Sequence, residues 1–206
     1  MEKTKFPRLL SGGVVKLARP AAVPEHAAEM FELISRNEFF YPWRFSLSAN
    51  KNADDCLQFI KKRLAKMMAG KDAYYDIIAR GKYVGEVYAR DFDWDNRVVR
   101  NIGYFMDGNA QRNGYATDAV ITLSRYLFSI GIHRVCLFCH YFDKKKPNLA
   151  SERVAQKAGY VFEGTSRDAI YDPIGMRYGN EHMFSKLSTD PKVSVSVAAW
   201  GVAHSK

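Results

Sequence analysis

The sequence predicts an α/β domain with a mixed, partly antiparallel central sheet flanked by about four helices. Three observations carry this. Residues 74–79, 83–92 and 98–106 are rich in β-branched and aromatic residues and are separated only by turn formers at Gly81 and Asp95-Asn96, so they predict three successive antiparallel strands. Two stretches with apolar residues at helical spacing precede them. Helical and strand-like stretches alternate after them, an order that packs helices against a sheet.

From the amino terminus, residues 13–19 read as a strand and residues 20–24 interrupt it with Pro20 and Pro24. Val23, Ala27, Met30, Phe31 and Ile34 then fall at helical spacing. Residues 39–45 form an aromatic, turn-rich stretch around Pro42 that includes Trp43 and Phe45. It breaks helix yet is too apolar for an ordinary solvated loop, so it either walls a substrate cleft or tucks its rings into the core. Within 53–69, Leu57, Ile60, Leu64, Met67 and Met68 oppose Lys61, Lys62 and Lys66, an amphipathic helix stopped by Gly70. After the three strands, Ala116, Ala119, Val120, Leu123, Leu127 and Ile130 mark a helix ending at Gly131, and 133–140 reads as a buried strand. A short helix at 149–158 stopped by Gly159, strands at 160–167 and 182–187, and a loop at 173–175 complete the domain, taken as residues 1–187. Residues 188–206 form an extension in which Val193, Val195 and Val197 alternate with serines, a strand pattern or a disordered end.

A chain of 206 residues, 47% hydrophobic, suits one domain with a sizeable core. Its net charge of +9 favours anionic partners, although most basic residues are scattered and read as solvated faces. No apolar run has the length of a signal peptide's core at the amino terminus or of a membrane span elsewhere, which predicts a soluble, cytoplasmic protein with no membrane partner. Three cysteines without a framework spacing fit a reducing compartment and no structural disulfides.

The most informative run is 108–117, Gly-Asn-Ala-Gln-Arg-Asn-Gly-Tyr-Ala-Thr, between a strand and an amphipathic helix. A glycine turn there aims backbone N–H groups at one point, and the positive end of the helix adds attraction for a pyrophosphate. It lacks the Gly-Lys-Ser/Thr ending of a nucleotide P-loop and the spacing of a dinucleotide fingerprint. Together with residues 102–106, Ile-Gly-Tyr-Phe-Met, the element Gln111-Arg112-Asn113-Gly114-Tyr115-Ala116 resembles the acetyl-CoA signature of the GNAT superfamily. Asn148-Leu149-Ala150-Ser151, then Ala158-Gly159-Tyr160 and Glu163-Gly164, is similar to the ribosomal-protein N-acetyltransferase (RimJ/RimL-like) branch. The resemblance runs from about residue 14 to 187.

That resemblance implies an N-acetyltransferase moving acetyl from acetyl-CoA to a primary amine, either a protein N terminus or a small molecule. It implies that the backbone of Phe105 and Met106 pairs with the pantetheine arm, that Gln111, Arg112, Asn113, Gly114, Tyr115 and Ala116 hold the pyrophosphate, and that Asn148 contacts the cofactor. By the same carry-over Ser151 serves the departing thiolate and Glu163 is the base or amine-positioning group. Glu86 also qualifies by residue type, and it is grouped with Trp43 and Phe45 as a candidate acceptor contact. The family often carries Asp near the start of the last strand, where Glu181 and His182 stand here. The chemistry is consistent, because the attacking amine must be neutral and a nearby carboxylate can take its proton. An α-amine, with a pKa of about 7.7–8.0 against about 10.4 for lysine, needs less help.

The alternative is a CoA-binding module of the same fold without catalysis. Nucleic acid is not expected as a partner except through a ribosomal substrate, and a homodimer stays open. Cys136-Leu137-Phe138-Cys139-His140 has the letters of a haem attachment site but lies in an apolar strand, where residues three apart face opposite sides. The five histidines lack ligand spacing, so no metal is predicted.

Overall fold

The computed structural model describes residues 6–37, 50–142, 148–173 and 175–191. The aromatic stretch with Trp43 and Phe45, and the tail beyond residue 191, lie outside the described residues. The first strand expected from sequence is a hairpin, β1 (Leu9–Ser11) against β2 (Lys16–Ala18). The turn is held from far along the chain: the Asp118 carboxylate accepts the N–H groups of Gly13 (3.1 Å), Val14 (2.7 Å) and Val15 (2.9 Å). A Cβ at Gly12 would lie 2.6 Å from both Asp118 Oδ2 and Thr122 Oγ1, so only glycine fits beneath the carboxylate.

Helix α1 (Pro24–Ser35) starts on Pro24, whose fixed φ and missing N–H cost nothing in the first turn. Helix α2 (Ala53–Met68) is capped by the Asn52 side chain, which accepts the Asp55 N–H at 2.8 Å. The two helices share a small core of Ala27, Met30, Cys56 and Ile60. Next comes an antiparallel meander, β3 (Ala73–Ala79), β4 (Lys82–Asp93) and β5 (Val98–Met106). Helix α3 (Tyr115–Ser129) crosses over to β6 (Arg134–Tyr141), which runs parallel to β5. Helix α4 (Leu149–Lys157), β7 (Val161–Asp172) and β8 (Arg177–Leu187) follow.

The eight strands form one sheet in the order β1-β2-β3-β4-β5-β6-β8-β7. Its principal core joins Tyr75, Ile77, Val87, Ile102, Leu137 and Phe184 of the strands to Leu123 and Leu127 of α3. Strand β7 extends five residues past the predicted 160–167. Its register breaks between Ser166 and Ile170, with Asp168 at φ +50°, which erases the alternation that marks a strand in sequence.

One irregularity positions the site. The β5–β6 ladder ends at Ile102 opposite Leu137, whereas β5 keeps its β4 partners to Met106 and β6 keeps its β8 partners to Tyr141. Beyond Ile102 and Leu137 the two parallel strands therefore splay apart. A splay between two strands in the middle of a sheet opens a place where a ligand that pairs like a strand can enter.

Candidate active site

At the carboxyl end of β5 the chain enters a short 3₁₀ turn, Gly108–Ala110, in which the Asp107 carboxylate accepts the Asn109 N–H at 3.2 Å. Burial alone would raise the Asp107 carboxyl. Hydrogen bonds from Arg36, Asn37 and the Asn109 N–H, with the charge of Arg36, bring it below the ordinary carboxylate range. Asn37 also accepts the Gly108 N–H at 2.7 Å, so the end of α1 is bolted to the start of this turn. The Asn113 side chain donates to the carbonyls of Ala110 (3.2 Å) and Gln111 (3.0 Å), bracing the loop from within. Arg112 at φ +63° and Gly114 at φ +77° then turn the chain into α3. Gly114 is the helix N-cap, and among the described residues no side chain caps the first turn. Its leading N–H groups are left for an anion, with Gln111, Arg112 and Asn113 exposed around them.

Ser151 lies in the first turn of α4. Its N–H donates to Asn148, to the carbonyl at 3.0 Å and to Oδ1 at 3.3 Å, the cap that starts the helix. Its hydroxyl accepts from the Tyr104 phenol of β5 at 3.3 Å and reaches the Cys139 thiol of β6. Burial raises the Tyr104 phenol well above its ordinary value and pushes the Cys139 thiol up to about 12, so both keep their protons at neutral pH. Ser151 thus bridges the two splayed strands. Glu152 fastens the same helix to the sheet, pairing with His182 Nδ1 at 2.6 Å and accepting from the Tyr141 hydroxyl. A cleft of about 100 Å³ opens here, with Tyr88, Arg90, Asn101, Tyr104, His140, Asn148 and Ser151 among its walls. His140 Nε2 lies 3.1 Å from Glu181 Oε1. The Tyr88 phenol covers Gly103 so closely that a Cβ there would sit 2.0 Å from its oxygen.

A model of the acetyltransferase (GNAT) domain matches residues 17–161, the stretch that holds the splayed end of β5, the N terminus of α3 and the Tyr104–Ser151 pair. The chain belongs to the GNAT acetyltransferase family. It is accordingly an N-acetyltransferase by family. The GNAT fold is shared with the microcin C7 self-immunity acetyltransferase MccE, solved with acetyl-CoA and AMP (24% identity, 89% of this chain and 98% of that one, TM-score 0.74). It is shared with RimL, a ribosomal L7/L12 α-N-protein acetyltransferase solved with CoA (19%, 88% and 99%, TM-score 0.75). A Vibrio cholerae protein assigned as a ribosomal-protein-serine acetyltransferase is similar in the same way (18%, 90% and 99%, TM-score 0.71). No curated protein matches the sequence. Among the described residues no helix is long and apolar enough to cross a membrane.

Within this acetyltransferase the residues singled out in the sequence fall into two groups. Phe105, Met106, Gln111 to Ala116, Asn148 and Ser151 lie along the splayed end of β5, the turn and the cleft. Two acidic candidates do not join them. Glu163 is held by Arg134 through both oxygens, one contact at 2.7 Å, and accepts from Ser185 at 2.6 Å. Arg134 opens β6 five residues before Cys139, roughly 16 Å away along a strand. Arg134 also holds the Glu163 carboxyl below its ordinary range, which makes it a poor base, so its pairing with Ser151 across one step is withdrawn. Glu86 is fully buried under α2 in an ion pair with Arg63 and does not line the cleft. The acceptor role read from its residue type is corrected accordingly.

Sequence reasoning passed over Tyr88, Arg90, Asn101 and His140. In the sequence His140 stands out only as the end of a haem-like motif and as one of five histidines without ligand spacing, although its neighbour across the ladder, Glu181, stands where the family often places an acid.

Proposed function

We propose that this acetyltransferase acts on an α-amine, that of a protein N terminus or of a small amine, and that His140 with Ser151 and Tyr104 carries the proton traffic. The observation that carries the proposal is the meeting, in one cleft, of the Tyr104–Ser151 relay and the His140–Glu181 pair. Acetyl-CoA supplies an activated acyl group and a thiolate leaving group. The splay between β5 and β6 suits its pantetheine amides, and the first turn of α3, with Gln111 and Arg112 beside it, suits its pyrophosphate. Tyr104 donates to Ser151, which frees the serine hydroxyl to donate to the sulfur as charge develops there. His140, oriented by Glu181, accepts the proton of the incoming amine. An α-amine is already partly neutral near pH 8, so a histidine suffices where a lysine acceptor would need a stronger base. RimL, an α-N-protein acetyltransferase of ribosomal L7/L12 with the same fold, supports this acceptor class.

Ser151→Ala is expected to lower kcat and kcat/KM together by roughly 10- to 1,000-fold, with the KM for acetyl-CoA unchanged. His140→Gln should lose most at pH 6, where little acceptor is neutral, and approach the parent rate as pH rises past about 8. Glu163→Gln should leave kcat unchanged at every pH. Steady-state rates by thiol release between pH 6 and 9 check all three. Full activity of both Ser151→Ala and His140→Gln across that range would contradict the assignment.

A further inference from the structure

The arginines around the splay differ in one respect. Arg63 is paired with Glu86 and Arg134 with Glu163, each a guanidinium matched to a carboxylate. Arg90, on β4 opposite Asn101 of β5, has no acidic partner among the described residues. Its guanidinium carbon lies 4.6 Å over the Tyr88 ring, and its buried Nε has no hydrogen-bond acceptor among the described residues. Stacking on a ring satisfies the face of a guanidinium but none of its N–H donors. A buried charged donor left unmade costs more than a typical hydrogen bond contributes, so such a group calls for an acceptor from outside the chain. Arg90 lines the same cleft as His140 and Ser151, with the Asn101 amide beside it. A net charge of +9 draws an anion toward that cleft.

We infer that Arg90 is a specificity determinant that binds a carboxylate carried by the amine acceptor a few bonds from the nitrogen that is acetylated. The guanidinium fork and the Asn101 amide receive the carboxylate while the amine faces His140. The inference rests on the acetyl-transfer reading of the cleft and adds the chemical class of the substrate. Two sources supply this chemistry, the acidic side chain of a residue next to a peptide N terminus and the main-chain carboxylate of a free amino acid.

The test uses two matched pairs of acceptors: a peptide with Asp or Asn as its second residue, and a free amino acid or its amide. Thiol release gives kcat/KM for each, and calorimetry on the CoA-saturated protein gives affinity without turnover. At least one pair should favour the carboxylate by about 10- to 100-fold. The preferred pair identifies the source. In Arg90→Gln the preference should collapse toward one, while Arg90→Lys should restore part of it, because charge without the fork recovers only the point attraction. Equal kcat/KM and equal affinity within both pairs, or a preference that survives Arg90→Gln, would overturn the inference and leave acetyl transfer intact. Arg90-dependent binding of the carboxylate without thiol release would support Arg90 and count instead against the catalytic reading.

Discussion

Gly114→Pro should lower the affinity for acetyl-CoA by more than about 100-fold while the melting temperature stays close to that of the parent. Gly114 stands at φ +77° as the N-cap of α3, and proline is fixed near −65° and carries no N–H. The turn formed by residues 108–116 would have to open, and the leading N–H groups of α3 would lose their common aim. Gly114→Ala keeps the N–H and adds only the strain of a left-handed residue, so a loss nearer tenfold is expected. The sheet and the core on α3 lie beyond the substitution and should hold. Calorimetric titration with acetyl-CoA, next to a thermal melt of each variant, reads both effects. An unchanged affinity in Gly114→Pro would remove the pyrophosphate site from this turn.

Asp118→Ala should destabilise the fold by about 3–4 kcal/mol. The carboxylate is 1% exposed and is the acceptor for three consecutive backbone N–H groups of the β1–β2 turn. Alanine would strand those donors in a space that Gly12 and Thr122 already fill closely. Asp118→Asn keeps one acceptor oxygen but turns an amide N–H toward the same donors, so an intermediate loss is expected. Urea unfolding measures the difference. A loss under 1 kcal/mol in Asp118→Ala would mean that the hairpin is held by its ladder and packing rather than by this anchor.

These two residues also mark what the linear sequence discloses. The turn around Gly114 was legible because its signal is local: a glycine between a β-rich run and an amphipathic stretch. The meander of β3, β4 and β5 was legible for the same reason, as were the helices, the apolar periods read for α1, α2 and α3 falling largely on their buried faces. The β1–β2 hairpin was not, since the carboxylate that folds it back lies more than 100 residues away. The splay escaped detection too, because the divergence of β5 from β6 after Ile102 leaves no trace in the composition of β5. Ser151 and Asn148 were reached through a resemblance and fall in the cleft. Glu163 was reached in the same way, but Arg134, 29 positions earlier, captures it at the far end of β6. His140 and Arg90 read as ordinary strand residues. Their chemistry comes from neighbours on other strands, Glu181 for one and the ring of Tyr88 for the other.

The central claim is that acetyl-CoA docked along the splayed β5 edge gives its acetyl group to an α-amine held in the cleft between β5 and β6. Its most direct test incubates the protein with acetyl-CoA and a short peptide whose only amine is its N terminus, then measures free thiol and peptide mass together. The expected result is one acetyl group on the peptide for each thiol released, with both lost in Ser151→Ala. Thiol release without acetylated peptide, or acetylation that Ser151→Ala leaves undiminished, would contradict it.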